Sequence, residues 1–260
     1  MKHPPLQIAW VSALALMLIA CNGGPSPKEE LLVGAASSLG PLLEDLAPVF
    51  KKETGIGLVF SYASAGALVR QIEQGAPLDV FASSDDARTS RLDAYGHLLD
   101  GGRRTFALGR LALVTPSGGR ATPPIPADLL SEEVRFIALA NPEIASYGAA
   151  AQTALQSLGF WQEVKPKIVY AQNVRQAFQF VQTGNADMGI VALSLLPHNT
   201  VVFSVLDQSL HPAIVNSVAV LEHSDRSAAA LQFVQFMTGP AALEAITRHG
   251  YTLPAEGGRP

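Results

Sequence analysis

The chain has a single cysteine in 260 residues, Cys21, and its six histidines (His3, His97, His198, His211, His223, His249) are scattered without metal-ligand spacing. A disulfide inside the domain is thereby excluded, and a cation site built on Cys and His is disfavoured. Charge is scarce as well, at 15% of residues, with 18 basic against 22 acidic side chains and no basic run able to neutralise several phosphates. A nucleic-acid partner does not fit that distribution. Enzyme signatures are missing too. A serine hydrolase elbow would need G-x-S-x-G, but Tyr62 stands at the first glycine position around Ser64. A phosphate-cradling loop would need a lysine after its last glycine, and Gly40 is followed by Pro41.

No apolar run reaches the roughly 20 residues that span a bilayer. The longest, Leu6 to Ile19, follows a basic start (Lys2, His3) and precedes Cys21, which is the layout of a secretory signal. Leu18-Ile19-Ala20-Cys21 resembles the bacterial lipobox, so residues 1–20 are expected to be a lipoprotein signal peptide and Cys21 the lipidated N-terminus. Residues 21–30, rich in Gly, Pro, Ser, Lys and Glu, read as a flexible linker. Loss of the signal removes one basic residue, Lys2, and leaves 17 against 22, a formal charge of −5. The remaining chain, in a protein that is 48% hydrophobic, is long enough to fold on its core alone.

From Leu31 onward short apolar runs alternate with amphipathic stretches, the pattern of an α/β fold with mostly parallel sheets. Strands are expected at 31–36, 56–62 and 80–82, with helices at 39–53 and 65–74. A second block repeats the grammar, with strands at 111–115, 136–140, 167–170 and 188–191 and helices at 148–158 and 174–183. A late strand at 215–221 and helices at 227–237 and 240–249 follow. The expected architecture is two α/β lobes with a ligand cleft between them, lobe 1 from 31–112 and 215–260 and lobe 2 from 113–214. Open α/β sheets bind ligands at the carboxyl ends of their strands.

Those strand ends carry a recurrent chemistry. Ser37-Ser38 and Ser64-Ala65 each stand between a strand and a helix, as do Ser146-Tyr147-Gly148 and Gln172-Asn173-Val174. A serine at a helix start ordinarily satisfies its own helix. Four such junctions also offer unpaired N–H groups and the positive ends of helix dipoles, which bind an anion without Lys or Arg. None carries a carboxylate. A site made only of donors suits a fully deprotonated dianion, whereas a phosphate that keeps a proton part of the time gains from an acceptor.

Leu68-Val69-Arg70-Gln71-Ile72-Glu73-Gln74-Gly75-Ala76-Pro77-Leu78-Asp79-Val80-Phe81-Ala82-Ser83 resembles a characteristic stretch of the molybdate-binding proteins of bacterial ABC transporters, which are type II periplasmic binding proteins. Ala35-Ala36-Ser37-Ser38-Leu39, Asn141-Pro142-Glu143, Asn173-Val174-Arg175 and Gly239-Pro240-Ala241-Ala242 support it in the same order. The resemblance implies that Ser38, with Ser37 beside it, supplies hydroxyl donors, that Val174 and Tyr147 supply backbone N–H groups, and that molybdate or tungstate is bound without any resident cofactor. An ABC permease and its ATPase become the expected partners of a monomeric, membrane-anchored receptor. Two positions depart from the family pattern. Its second binding serine aligns with Ala65, one residue after Ser64, and a tyrosine found in some members is replaced by Ala192. The Tyr147 phenol is the candidate replacement. A sulfate or small-carboxylate receptor on the same fold is the alternative, and an anchored hydrolase using Ser38 or Ser64 is the alternative of another class. Asp79 and Asp187 read as acceptors for turn amides, and Arg70 and Arg175 as surface partners of Glu73 or a neighbouring acid.

Overall fold

The structure, a computed structural model, describes residues 30–116, 122–197 and 201–254. The signal segment and Cys21 lie outside them. In chain order the elements are β1 (Glu30–Ala36), α1 (Gly40–Thr54), β2 (Gly57–Ala63), α2 (Ala65–Glu73), β3 (Val80–Ser83), α3 (Asp86–Ala94), β4 (Leu98–Gly109), β5 (Leu111–Pro116), β6 (Ile137–Ala140) and α4 (Ser146–Ser157). They continue with α5 (Trp161–Val164), β7 (Ile168–Ala171), α6 (Val174–Gln182), β8 (Met188–Ala192), β9 (Val201–Val205), β10 (Ile214–Leu221), α7 (Ser227–Phe236) and α8 (Pro240–Arg248).

Two five-stranded sheets result, ordered β2-β1-β3-β10-β4 and β7-β6-β8-β5-β9. In each, three strands run parallel and the other two pair antiparallel, β10 and β4 in the first and β5 and β9 in the second. The crossover into the second sheet falls at Arg110, earlier than the expected 112/113 boundary, because Leu111 and Ala112 already pair with Ala192 and Val191. The chain returns with Ile214, which pairs with Gly109 on β4.

Strand alternation fixes where the helices go. On β1, β3 and β10 the side chains of Val33, Ala35, Val80, Ala82, Val218 and Val220 enter the core beneath α1, α7 and α8. Phe81, Ala219 and Leu221 point the other way and pack with Leu68, Val69 and Ile72 of α2 and Leu92 of α3. Each sheet face is thus apolar, and burying a Leu or Phe stabilises the fold by about 1.5–3 kcal/mol. Phe50 of α1 meets Phe233 of α7 edge-on at 5.2 Å between centroids. A consequence for function is that both α1 and α2 start at the same sheet edge, the carboxyl ends of β1 and β2.

Asp79 and Asp187 play the turn-binding role. Asp79 accepts the Leu32 N–H at 2.7 Å and also Ser224 and Arg226, and Asp187 accepts the N–H groups of Arg135 and Phe136. Burial alone would push the Asp79 carboxyl upward. The bonds from Arg226, Ser224 and Leu32 outweigh it and hold the group below the usual carboxylate range.

Candidate functional site

Four helix starts converge between the lobes. Ser37, Ser38, Ser64, Ala65, Tyr147 and Val174 all line one small cavity of about 10 Å³. All six are at most 5% exposed. Ser84 and Ser146 complete its polar wall, and no histidine, carboxylate, lysine or arginine is among its lining residues. The polar side chains of the cavity are therefore hydroxyls only, and no base is among its lining residues beside Ser38 or Ser64.

The local geometry differs from the expectation at the first junction. Ser37 and Ser38 are not N-caps. They form, with Leu39, a single 3-10 turn capped by Ala36 and running into α1, a common form of helix start. Two hydroxyls hold that turn in place: Tyr251 Oη and Ser194 Oγ each donate to the Ser38 carbonyl at 2.9 Å. Ser194 comes from lobe 2, just past Ala192. Ser64 does occupy the N-cap of α2, yet its side chain makes no capping bond. Asn173 caps α6 by accepting the Gln176 N–H at 3.0 Å, which leaves Val174 at the first helical position, where the ladder offers its N–H no acceptor. Tyr147 is the second residue of α4.

Three hydroxyls here are buried without an intramolecular partner: Ser38 Oγ, Ser64 Oγ and Tyr147 Oη. A buried polar group left unpaired costs about 1–3 kcal/mol, so native proteins keep few of them. Burial, and then the neighbouring Tyr251 phenol, push the Tyr147 phenol well above its ordinary range, so it stays a protonated donor. It extends to the interlobe crossover, where a Cβ added at Gly109 would lie 2.2 Å from Tyr147 Oη.

The lobes touch directly around the cavity. The Gly66 N–H donates to the Ile144 carbonyl at 2.9 Å, the Ser84 and Ser146 hydroxyls pair at 2.8 Å, and Arg88 donates to the Glu143 carbonyl. On the far side Arg175 of α6 lies 5.4 Å from the centroid of the Tyr62 ring, reaches Glu44 at 3.4 Å, and gives its N–H to Ser37 Oγ at 3.5 Å. Arg175 is thus an interlobe clasp. Of the acids expected to pair with Arg70 or Arg175, Glu44 meets Arg175, while Glu73 pairs with Arg91. Sequence reasoning missed Ser84 and did not single out Ser146, although the strand-end rule that selects Ser37 and Ser64 applies equally to Ser84, which directly follows β3.

Larger grooves lie elsewhere. One, between Pro41 on α1 and Phe203 on β9, is mostly apolar and flanked by Glu44, Asp45 and Arg248. It has no converging helix starts.

Comparison with known proteins places this arrangement. The profile of the bacterial extracellular solute-binding protein family matches residues 31–252. The Molybdate-binding protein ModA of Azotobacter vinelandii is 33% identical, with 94% of this chain and 96% of that protein covered. A putative ABC transporter substrate-binding lipoprotein of Bacillus subtilis, YvgL, is 28% identical over 94% of this chain and 96% of its own length. A solved periplasmic molybdate-binding protein of Azotobacter vinelandii superposes with a TM-score of 0.81 at 34% identity, covering 86% of this chain and 99% of that one. The two-lobed architecture is the type II periplasmic binding fold, and the chain belongs to the bacterial extracellular solute-binding protein family.

Proposed function

We propose that the chain is the receptor of an ABC importer for a tetrahedral oxyanion, molybdate or tungstate, which it binds between its lobes and hands to a membrane permease driven by an ATPase. The observation that carries this reading is the pair of buried, unpartnered hydroxyls of Ser38 and Ser64 in a cavity that otherwise offers helix-start N–H groups. Such donors stabilise a dianion through charge-assisted hydrogen bonds and helix dipoles, with no lysine or arginine to attract anions indiscriminately. The names of the relatives support the choice of ligand. Calorimetric titration with molybdate, tungstate, sulfate and phosphate is the test. Saturable 1:1 binding of the first two is expected, with an affinity that stays level between about pH 6 and 9, since the one titratable cavity group, Tyr147, remains protonated there. Absence of binding by molybdate and tungstate would sink the reading.

A sulfate receptor is the second reading, favoured by alanine at positions 65 and 192, where the family pattern has a serine and, in some members, a tyrosine. Preference for sulfate in competition would establish it. Anchoring is a further part of the proposal: Cys21, outside the described residues, becomes the acylated N-terminus of a monomeric receptor on the outer side of the cytoplasmic membrane. The lipoprotein relative supports it. Cys21→Ala is expected to move the protein from the membrane to the soluble exported fraction, and an unsubstituted protein found soluble and unacylated would refute the anchor.

A further inference from the structure

Ser84 and Ser146 face each other across the cleft, Ser84 just after β3 in lobe 1 and Ser146 at the first position of α4 in lobe 2. Their hydroxyl oxygens are 2.8 Å apart. Ser84 is 3% exposed. It is held from behind: Ser83 Oγ accepts the Asp85 N–H at 3.0 Å, Asp85 caps α3 by accepting the Arg88 N–H at 3.0 Å, and Arg88 bonds to the Glu143 carbonyl beside the partner segment. The pair also has a particular place among the cavities. A second chamber of about 230 Å³ extends from Asp85 and Asp86 to Pro212 and Ile214. Ser84 and Ser146 are the two residues that line both it and the donor cavity.

We propose that Ser84 and Ser146 act as one unit, an interlobe hydroxyl relay that donates to the bound oxyanion and closes its cavity against the second chamber. The proposal rests on the oxyanion reading above. The chemistry follows from the count of hydrogens. Two hydroxyls carry two hydrogens, and one is spent in the bond between them. The other sits on the accepting hydroxyl and is free to point into the cavity, where an anion oxygen can take it. An O–H already accepting a hydrogen bond is a stronger donor, so the anion and the pair strengthen each other. Because one serine comes from each lobe, the full relay exists only when the lobes are closed, and the anion is rewarded for closing them. The relay also supplies a hydroxyl to a site that has alanine at position 65. The wall it forms separates the dianion from the Asp85–Arg88 and Asp86–Arg103 ion pairs beside the second chamber.

Titration of the native protein, Ser84→Ala, Ser146→Ala, the double variant and Ser146→Thr with molybdate, and with sulfate in parallel, tests this. With the native protein binding, each alanine variant is expected to weaken affinity about tenfold or more, the effect of losing a hydrogen bond to a charged group. The double variant is expected to be little worse than either single one, because either truncation breaks the relay. Ser146→Thr keeps a hydroxyl at the pair and is expected to recover most of the affinity, which a purely steric role for Ser146 would not produce. Thermal melting without anion is expected to fall in the single alanine variants by no more than one lost buried hydrogen bond costs, and to stay close to native in Ser146→Thr. Alanine variants within twofold of native, additive losses in the double variant, or a threonine variant as weak as the alanine one would each overturn the relay. A native protein that binds neither anion would instead overturn the oxyanion reading itself and the relay with it.

Discussion

Gly66→Ala is expected to cost more than a hundredfold in anion affinity while leaving the fold intact. Gly66 is the second residue of α2, and a Cβ built there would stand 2.9 Å from the Ile144 carbonyl oxygen and 3.1 Å from the Ile144 Cα. Those are backbone atoms of the other lobe, which cannot swing aside as a side-chain end can. The same residue donates its N–H to the Ile144 carbonyl at 2.9 Å. A methyl group at this point therefore wedges the lobes apart where the cavity must be sealed. Within its own helix the substitution is harmless, since alanine is favoured over glycine by up to about 1 kcal/mol at helical positions. Melting temperature without anion should hold or rise while calorimetric affinity collapses, and the small-angle scattering radius should no longer shrink on adding molybdate. Native affinity in Gly66→Ala would mean that the Gly66–Ile144 contact plays no part in closing the lobes.

Ser38→Ala carries the second large effect. Ser38 Oγ is buried and unpartnered, so removing it relieves an unsatisfied group in the anion-free protein and should leave stability unchanged or slightly raised. With a dianion bound, the same hydroxyl becomes a charge-assisted donor, and its loss is expected to cost about 1.5–3 kcal/mol, or about 10- to 150-fold in affinity. Ser64→Ala should behave alike if its hydroxyl reaches the anion, and should have little effect if only the Ala65 N–H does. Ser37→Ala is expected to be milder, since Ser37 Oγ already accepts the long Arg175 N–H contact. Calorimetry on the three variants, with melting curves alongside, separates these cases. A Ser38→Ala protein that binds molybdate as tightly as the native one would remove Ser38 from the site.

Much of the fold was legible because sequence and tertiary burial agree along it. The runs at Leu31–Ala36, Leu111–Thr115 and Met188–Val191 are apolar since their strands are covered on both faces, and α2 and α6 carry clean apolar stripes. The stretch between β3 and β5 was not legible. α3 buries only Thr89 and Leu92, so its sequence has no periodic stripe, and β4 runs through Gly101, Gly102, Arg103 and Arg104, where alternation is lost. Its pairing with β10 supplies what its own sequence does not. The crossover at Arg110 was misplaced for a related reason: Leu111 to Thr115 reads as one apolar run, and a run does not reveal which sheet it joins.

The site was legible as chemistry but less so as geometry. Strand-end serines point to one edge of each sheet, and all six expected residues meet in one cavity there. That Ser37 and Ser38 lie inside a 3-10 turn depends on Ser194 and Tyr251, which stand 156 and 213 positions from Ser38 and which no local pattern announces. Arg175 likewise declares its role only once Tyr62 and Glu44 are brought opposite it. Residues that act across the cleft are the ones a linear reading loses.

Crystals grown with tungstate and measured for anomalous scattering locate the heavy atom without assumption. The expected result is a single strong peak in the donor cavity, with oxygens about 2.7–3.2 Å from Ser38 Oγ and the N–H groups of Ala65, Tyr147 and Val174. A peak in the groove between Pro41 and Phe203, or none between the lobes, would contradict an anion held on converging helix starts.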